Sequence, residues 1–265
     1  MRSTIGFTVL ILVAVLWTGT VTLLAGTEVP TPTVEAPDLD AEHRIWGGIL
    51  SEVVLPDGVD YQHLASLRGE LDRYRVQLAT ATVPEDPDAA MAFWINAYNA
   101  LTLELVLRTW PDEPAAQEDY SVRDVEGFWT AYTFEVAGGR HSLDHIEHGI
   151  IRPMGDPRIH MAVNCASVSC PPLHEEPYIG SRLDAQLDRA ARHFVDSDYH
   201  VRVEKQAVRV NPILKWFSED FEEVGGVRAF LLAYSTRPEL TERLQADRPI
   251  RFFAYDWSLN RASGE

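Results

Sequence analysis

The chain has 265 residues, 46% hydrophobic and 24% charged, a composition that excludes disordered, collagenous and low-complexity classes. Lys and Arg number 23 against 40 Asp and Glu, a net charge of -17, so no nucleic-acid partner is expected. Two cysteines exclude a disulfide-dense scaffold and a four-cysteine zinc module. Only Lys205 and Lys215 are lysines. An acidic, lysine-poor surface fits a halophile's protein, where salt screens self-repulsion, and equally a genome that favours arginine codons.

Ile5 to Gly26 is 22 residues without a charge. As a helix it spans roughly 33 Å, enough for the hydrocarbon core of a bilayer. Arg2 precedes it and Glu28 follows, which places the amino terminus in the cytoplasm and the rest outside. Cleavage after Ala25 or Gly26 would put Leu23 or Leu24 at the -3 position, so an uncleaved anchor is preferred to a signal peptide. Residues 1–27 are therefore expected as a signal anchor, a membrane-bound segment of an extracytoplasmic protein. Residues 28–40, with Pro30, Pro32 and Pro37, are expected as a semi-rigid stalk that joins no core. Residues 41–265 are expected as one domain.

Helical spacing of apolar residues predicts helices over 41–54 and 61–80. Asp86-Pro87 caps a long helix that is apolar nearly all round and stops before Pro111. Tyr132–Val136 and Arg140–Leu143 flank Gly138-Gly139 as a hairpin. Ser142 or Asp144 caps a short helix, and Ile159–Asn164 is expected as a short buried strand. Further on come an amphipathic helix over 182–195, a hairpin over 199–204 and 207–210, helices over 226–234 and 239–246, and a final strand over 250–255. Helices dominate, so the expected fold is a mostly helical α+β domain with a small, mainly antiparallel sheet.

Cys165 and Cys170 bracket a turn that follows His160. A cysteine nucleophile needs a base and a group that orients the base. His148 and His160 are the candidate bases, and the Asn164 amide is a candidate oxyanion donor. The same two cysteines outside the cell could instead form a local disulfide, remain inert thiols, or ligate a metal. His141, His145 and His148 share a spacing that, with Cys165 or Glu147, would suit zinc; an exposed polar face explains them as well. Asn96 and Asn99 interrupt an apolar helix, where a buried amide either ties a loop or lines a site. Asp256 can orient a histidine or pair with Arg152 or Arg158.

The ordered motifs FWINAYNALTL, GFW, SLDHIEHGIIRP, DPRIHMAVNCASVSCPPL, SRLDAQLDRAARHFV, NPILKWFSEDF and YDWSLN resemble the domain of unknown function 547 family, from about Phe93 to Asn260. The resemblance carries over no general activity. Its pattern falls on Asn96, Asn99, Glu147, His148, His160, Cys165, Cys170, Pro171 and Asp256, and histidine is not typical of the family at His141 and His145. The expected chemistry is a cysteine-dependent hydrolase or acyl transferase acting on an amide, peptide or thioester. Cys165, His160, His148, Asn96 and Asn164 would be catalytic, Glu147, Asp256 and Asn99 orienting, Cys170 and Pro171 structural, with no cofactor. A binding or scaffold domain and a thiol–disulfide module are the alternatives.

Overall fold

The computed structural model describes residues 26–111 and 117–263. The expected membrane helix falls on residues 1–25, outside the described residues, apart from Gly26 at its end. One described helix, α4 (Pro87–Thr109), is long and apolar enough to cross a membrane, but it is the core helix: every side chain from Met91 to Val106 is buried. Burial all round explains the lack of a polar face. Asp86 caps it by accepting from the Ala89 amide, with Pro87 in the first turn.

Around α4 pack α1 (Arg44–Val53), α2 (Tyr61–Ser66) and α3 (Arg68–Thr80). The single helix expected over 61–80 breaks at Leu67, whose amide reaches back to the His63 and Leu64 carbonyls. A second hydrophobic cluster lies between α5 (Leu183–Asp196), α6 (Gly226–Tyr234) and α7 (Pro238–Gln245), with Phe194, Phe221 and Phe230 fully buried. Helices dominate, as expected, but the one sheet becomes three small ones. Strand β1 (Thr27–Glu28) pairs in parallel with β4 (Tyr132–Val136), which pairs antiparallel with β5 (Gly139–His141). Strands β2 (Val54–Leu55) and β3 (Gly58–Val59) form an antiparallel ribbon. Strands β6 (Val201–Val203) and β7 (Val208–Val210) are antiparallel, and β8 (Ile250–Phe252) adds in parallel.

Two expectations are corrected. Ile159–Asn164 is not a strand: Pro157–Met161 is a 3-10 helix whose Arg158 amide is capped by the Asp156 carboxylate. The Asp-Pro start that opens α4 also operates here, and a short apolar run alone does not distinguish strand from helix. The stalk reading is corrected as well. Val29 is buried in the core, Arg75 donates to the Pro30 carbonyl (2.7 Å), and Gln77 donates to the carbonyls of Pro37 and Asp38. The prolines keep the segment extended, and an extended backbone with free carbonyls is what two buried donors on α3 can bind.

Close packing against α4 also fixes the segment leading into α5. A Cβ on Gly180 would stand 2.6 Å from the Ala89 Cα and 2.8 Å from its nitrogen, so only glycine allows this approach.

Candidate functional site

Asn96 and Asn99 lie one turn apart on α4. Asn96 accepts from the Tyr178 amide (2.9 Å) and donates to the Tyr178 carbonyl (2.7 Å). Asn99 donates to the Ala162 carbonyl (3.0 Å) and accepts from the Asn164 amide (2.8 Å). The side chain of Asn164 then accepts from the Ala166 amide (2.9 Å) and donates to the Pro171 carbonyl (2.8 Å). These bonds clamp both ends of the Asn164–Pro171 loop and hold Ala166 in the left-handed region at φ 62°. Asn96, Asn99 and Asn164, expected at the chemistry, have their amides engaged by backbone. They brace the site.

The clamped loop presents Cys165. Its sulfur lies 3.0 Å from Ser167 Oγ and 3.3 Å from Tyr255 Oη, and these hydroxyls are 2.9 Å apart. The Cys165 amide donates to Cys170 Sγ at 2.9 Å; both cysteines are free thiols. The hydrogen bond with Cys170, joined by Ser167 and Tyr255, pulls the Cys165 thiol down to about 7 against the opposing effect of burial. Burial pushes the Cys170 thiol the other way. Near neutral pH the half-buried Cys165 is therefore the thiolate of the pair.

Cys165 and Cys170 line a cavity of about 320 Å³, walled by Trp129, Trp216, Phe217, Tyr255 and Trp257. His148, His160, Asp144 and Glu147 line it too. The structure thus gathers Cys165, Cys170, His148, His160 and Glu147 at one place. Neither imidazole is a hydrogen-bond partner of the sulfur. His160 Nε2 lies 2.7 Å from Asp220 Oδ2, its ring stacks on Phe217 at 4.1 Å, and its buried Nδ1 has no partner. Burial lowers His160 to about 4 despite Asp220, so the ring is neutral at pH 7. Arg152 binds Asp220 through two hydrogen bonds of 2.7 Å and holds that carboxylate ionised.

His148 is half-exposed, with Arg152 Nη1 3.3 Å from its Nδ1 and Asp144 3.7 Å from its Nε2. It sits on a π-helix (His145–Ile151) whose first amide is capped by Ser142, not by Asp144. Glu147, on the same turn, is buried, and burial raises its carboxyl above the usual range against the pull of His148 and Tyr98. Asp256 touches no histidine: its carboxylate closes a turn by accepting from the Ser258 amide, and its backbone amide donates to Ser169. It pairs with neither Arg152, which takes Asp220, nor Arg158, which takes Asp156, Asp184 and Asp188.

The three-histidine arrangement does not form. His141 and His145 stack, with their Nδ1 atoms 3.0 Å apart, and His141 also packs edge-on against Trp94, while His148 alone of the three lines the cavity. Among the described residues no three His, Cys, Asp or Glu side chains are grouped to hold a metal ion.

Sequence reasoning missed Asp220, Ser167 and Tyr255. Asp220 and Tyr255 fall inside the motifs NPILKWFSEDF and YDWSLN, so the signal was present. Sequence separations of 60 residues from His160 and 90 from Cys165 concealed the pairing.

Residues 85–195 match the family model described as "Protein of unknown function, DUF547", and over that segment the chain resembles this family. No curated protein and no solved structure matches the chain.

Proposed function

We propose that the cavity is the active site of a cysteine-dependent acyl hydrolase or transferase. The observation that carries this is the Cys165 thiol, depressed to about 7 at a cavity that it shares with a carboxylate-held imidazole. Because Asp220 can only accept, His160 carries its proton on Nε2 and offers Nδ1 as the base. Tyr255, at 3.3 Å from the sulfur and accepting from Ser167, replaces Asn164 as the donor for a developing oxyanion. The sulfur attacks the carbonyl carbon and the bond to the leaving group breaks. His160 passes the thiol proton to the leaving group, directly or through one water. Water then cleaves the thioester, releasing the acid and restoring the thiol.

The test is acyl-enzyme formation with p-nitrophenyl acetate. One equivalent of p-nitrophenolate should appear in a burst, with one acetyl mass on Cys165. The burst should vanish in Cys165→Ser and slow by roughly 100-fold or more in His160→Ala. Absence of both burst and adduct overturns the reading. The 2.9 Å approach of Cys170 Sγ to the Cys165 amide favours a second reading, a thiol–disulfide module. That reading requires the two thiols to pass two hydrogens to a substrate disulfide, which leaves as two thiols, so the protein loses two hydrogens in place of gaining an acyl adduct.

The charge-free run supports membrane anchoring with the domain outside the cytoplasm. Three chain lengths test this together with the packed segment. The full chain should sediment with membranes, and residues 26–265 should be soluble and folded. Residues 41–265 should melt lower, by the several kcal/mol that buried Val29 and the partners of Arg75 and Gln77 contribute. Equal melting of the two fragments would remove the structural role assigned to residues 27–40.

A further inference from the structure

The walls of the cavity are unusually rich in π-faces for its size. Trp257 lies 4.5 Å from Tyr255, 5.8 Å from Trp216 and 6.0 Å from Trp129, centroid to centroid. Trp216 is 48% exposed, so part of this aromatic surface stays open to an incoming molecule. The charged lining has one sign: Asp144 and Glu147 line the cavity, and no Lys or Arg does. Glu147 is buried, yet among the described residues it forms no ion pair. A buried carboxylate ordinarily has a cation beside it or gives up its charge. Rings of this wall already take cations elsewhere: Arg123 stands over Trp257 at 5.5 Å and Arg152 over Phe217 at 5.1 Å.

Anionic acyl donors, such as phosphorylated carriers, find no counter-charge in such a lining. A small, weakly hydrated cation finds both an electron-rich wall and a buried carboxylate that has Tyr98 and His148 as neighbours but no ion-pair partner among the described residues. We propose that the acyl substrate of Cys165 carries an alkylammonium group, seated against Trp216 and Trp257 with Glu147 as its counter-ion. This rests on the acyl-transfer reading for the position of the carbonyl, while the cation seat itself stands independently of that chemistry.

The probe is choline, compared with its uncharged isostere 3,3-dimethylbutan-1-ol, by titration of tryptophan fluorescence of the full chain in detergent. Choline should bind at least tenfold more tightly than the isostere and should slow iodoacetamide labelling of Cys165. Glu147→Gln should reduce the preference to about threefold or less. Trp216→Ala removes a half-exposed ring without opening the core and should weaken choline at least fivefold. Cys165→Ser should bind choline like the parent. Equal or tighter binding of the isostere, or no binding of either, overturns the proposal. If Cys165 takes the acetyl group but choline does not bind, only the substrate class falls. If choline binds while Cys165 stays unacylated, the acyl reading falls and the cation seat stands.

Discussion

Iodoacetamide is expected to label Cys165 with an inflection near pH 7 and to leave Cys170 unmodified in the folded protein. At pH 7 a thiol with a pKa of about 7 is half ionised, against roughly 3% for an ordinary cysteine. Cys165 should therefore react about three- to fourfold faster than a free peptide thiol, once the lower intrinsic nucleophilicity of a more acidic thiol is allowed for. The sign follows from the partners. The hydrogen bonds that tie Cys165 to Cys170, Ser167 and Tyr255 favour the anion, so Ser167→Ala and Tyr255→Phe should both move the inflection upward. Cys170→Ala should move it furthest, because that hydrogen bond is the largest contribution. Peptide mass spectrometry across pH 5–9 reads all of this. Equal labelling of the two cysteines, or an inflection near 8.5 in the parent, would show that the loop does not activate the thiol.

Asn99→Ala should be among the most damaging single changes outside the apolar core. It leaves the Ala162 carbonyl and the Asn164 amide buried without partners, each at about 1–3 kcal/mol, and adds a small void. A loss of roughly 3–5 kcal/mol lowers the melting temperature by about 10 °C in a domain of this size. Asn96→Ala breaks an equivalent pair of bonds to Tyr178 and should cost about as much. The two differ in what they hold. Asn99 fixes the residue before Cys165, so its removal should also raise the inflection of Cys165 labelling, whereas Asn96→Ala should leave the labelling profile in place. If both variants shift the thiol equally, global loosening explains the effect and the specific brace through Asn164 does not.

The sequence by itself determined the helices and hairpins whose signals are local. Asp86-Pro87 opened α4 where the cap chemistry put it, Gly226–Tyr234 formed as its spacing predicts, and β4 turned into β5 through Ala137-Gly138, one residue before the expected Gly138-Gly139. It also named residues that lie together: Cys165, His160 and His148 line one cavity. Roles were less legible than membership. An asparagine in an apolar helix satisfies its amide either on a backbone or on a ligand, and only the positions of Tyr178 and Ala162, 82 and 63 residues away, decided for the backbone. Asp256 and Asp220 look alike as carboxylates late in the chain, but a single turn closes on Asp256 while Asp220 meets both Arg152 and His160. The Pro-rich stretch read as a stalk because prolines report backbone stiffness, not what the backbone touches. Its burial depended on Arg75 and Gln77 of α3 arriving beside it. Local propensity and capping act within a few residues and can be read from order alone. Hydrogen-bond partners, counter-ions and the depressed Cys165 thiol arise from groups that only the folded packing brings within 3 Å.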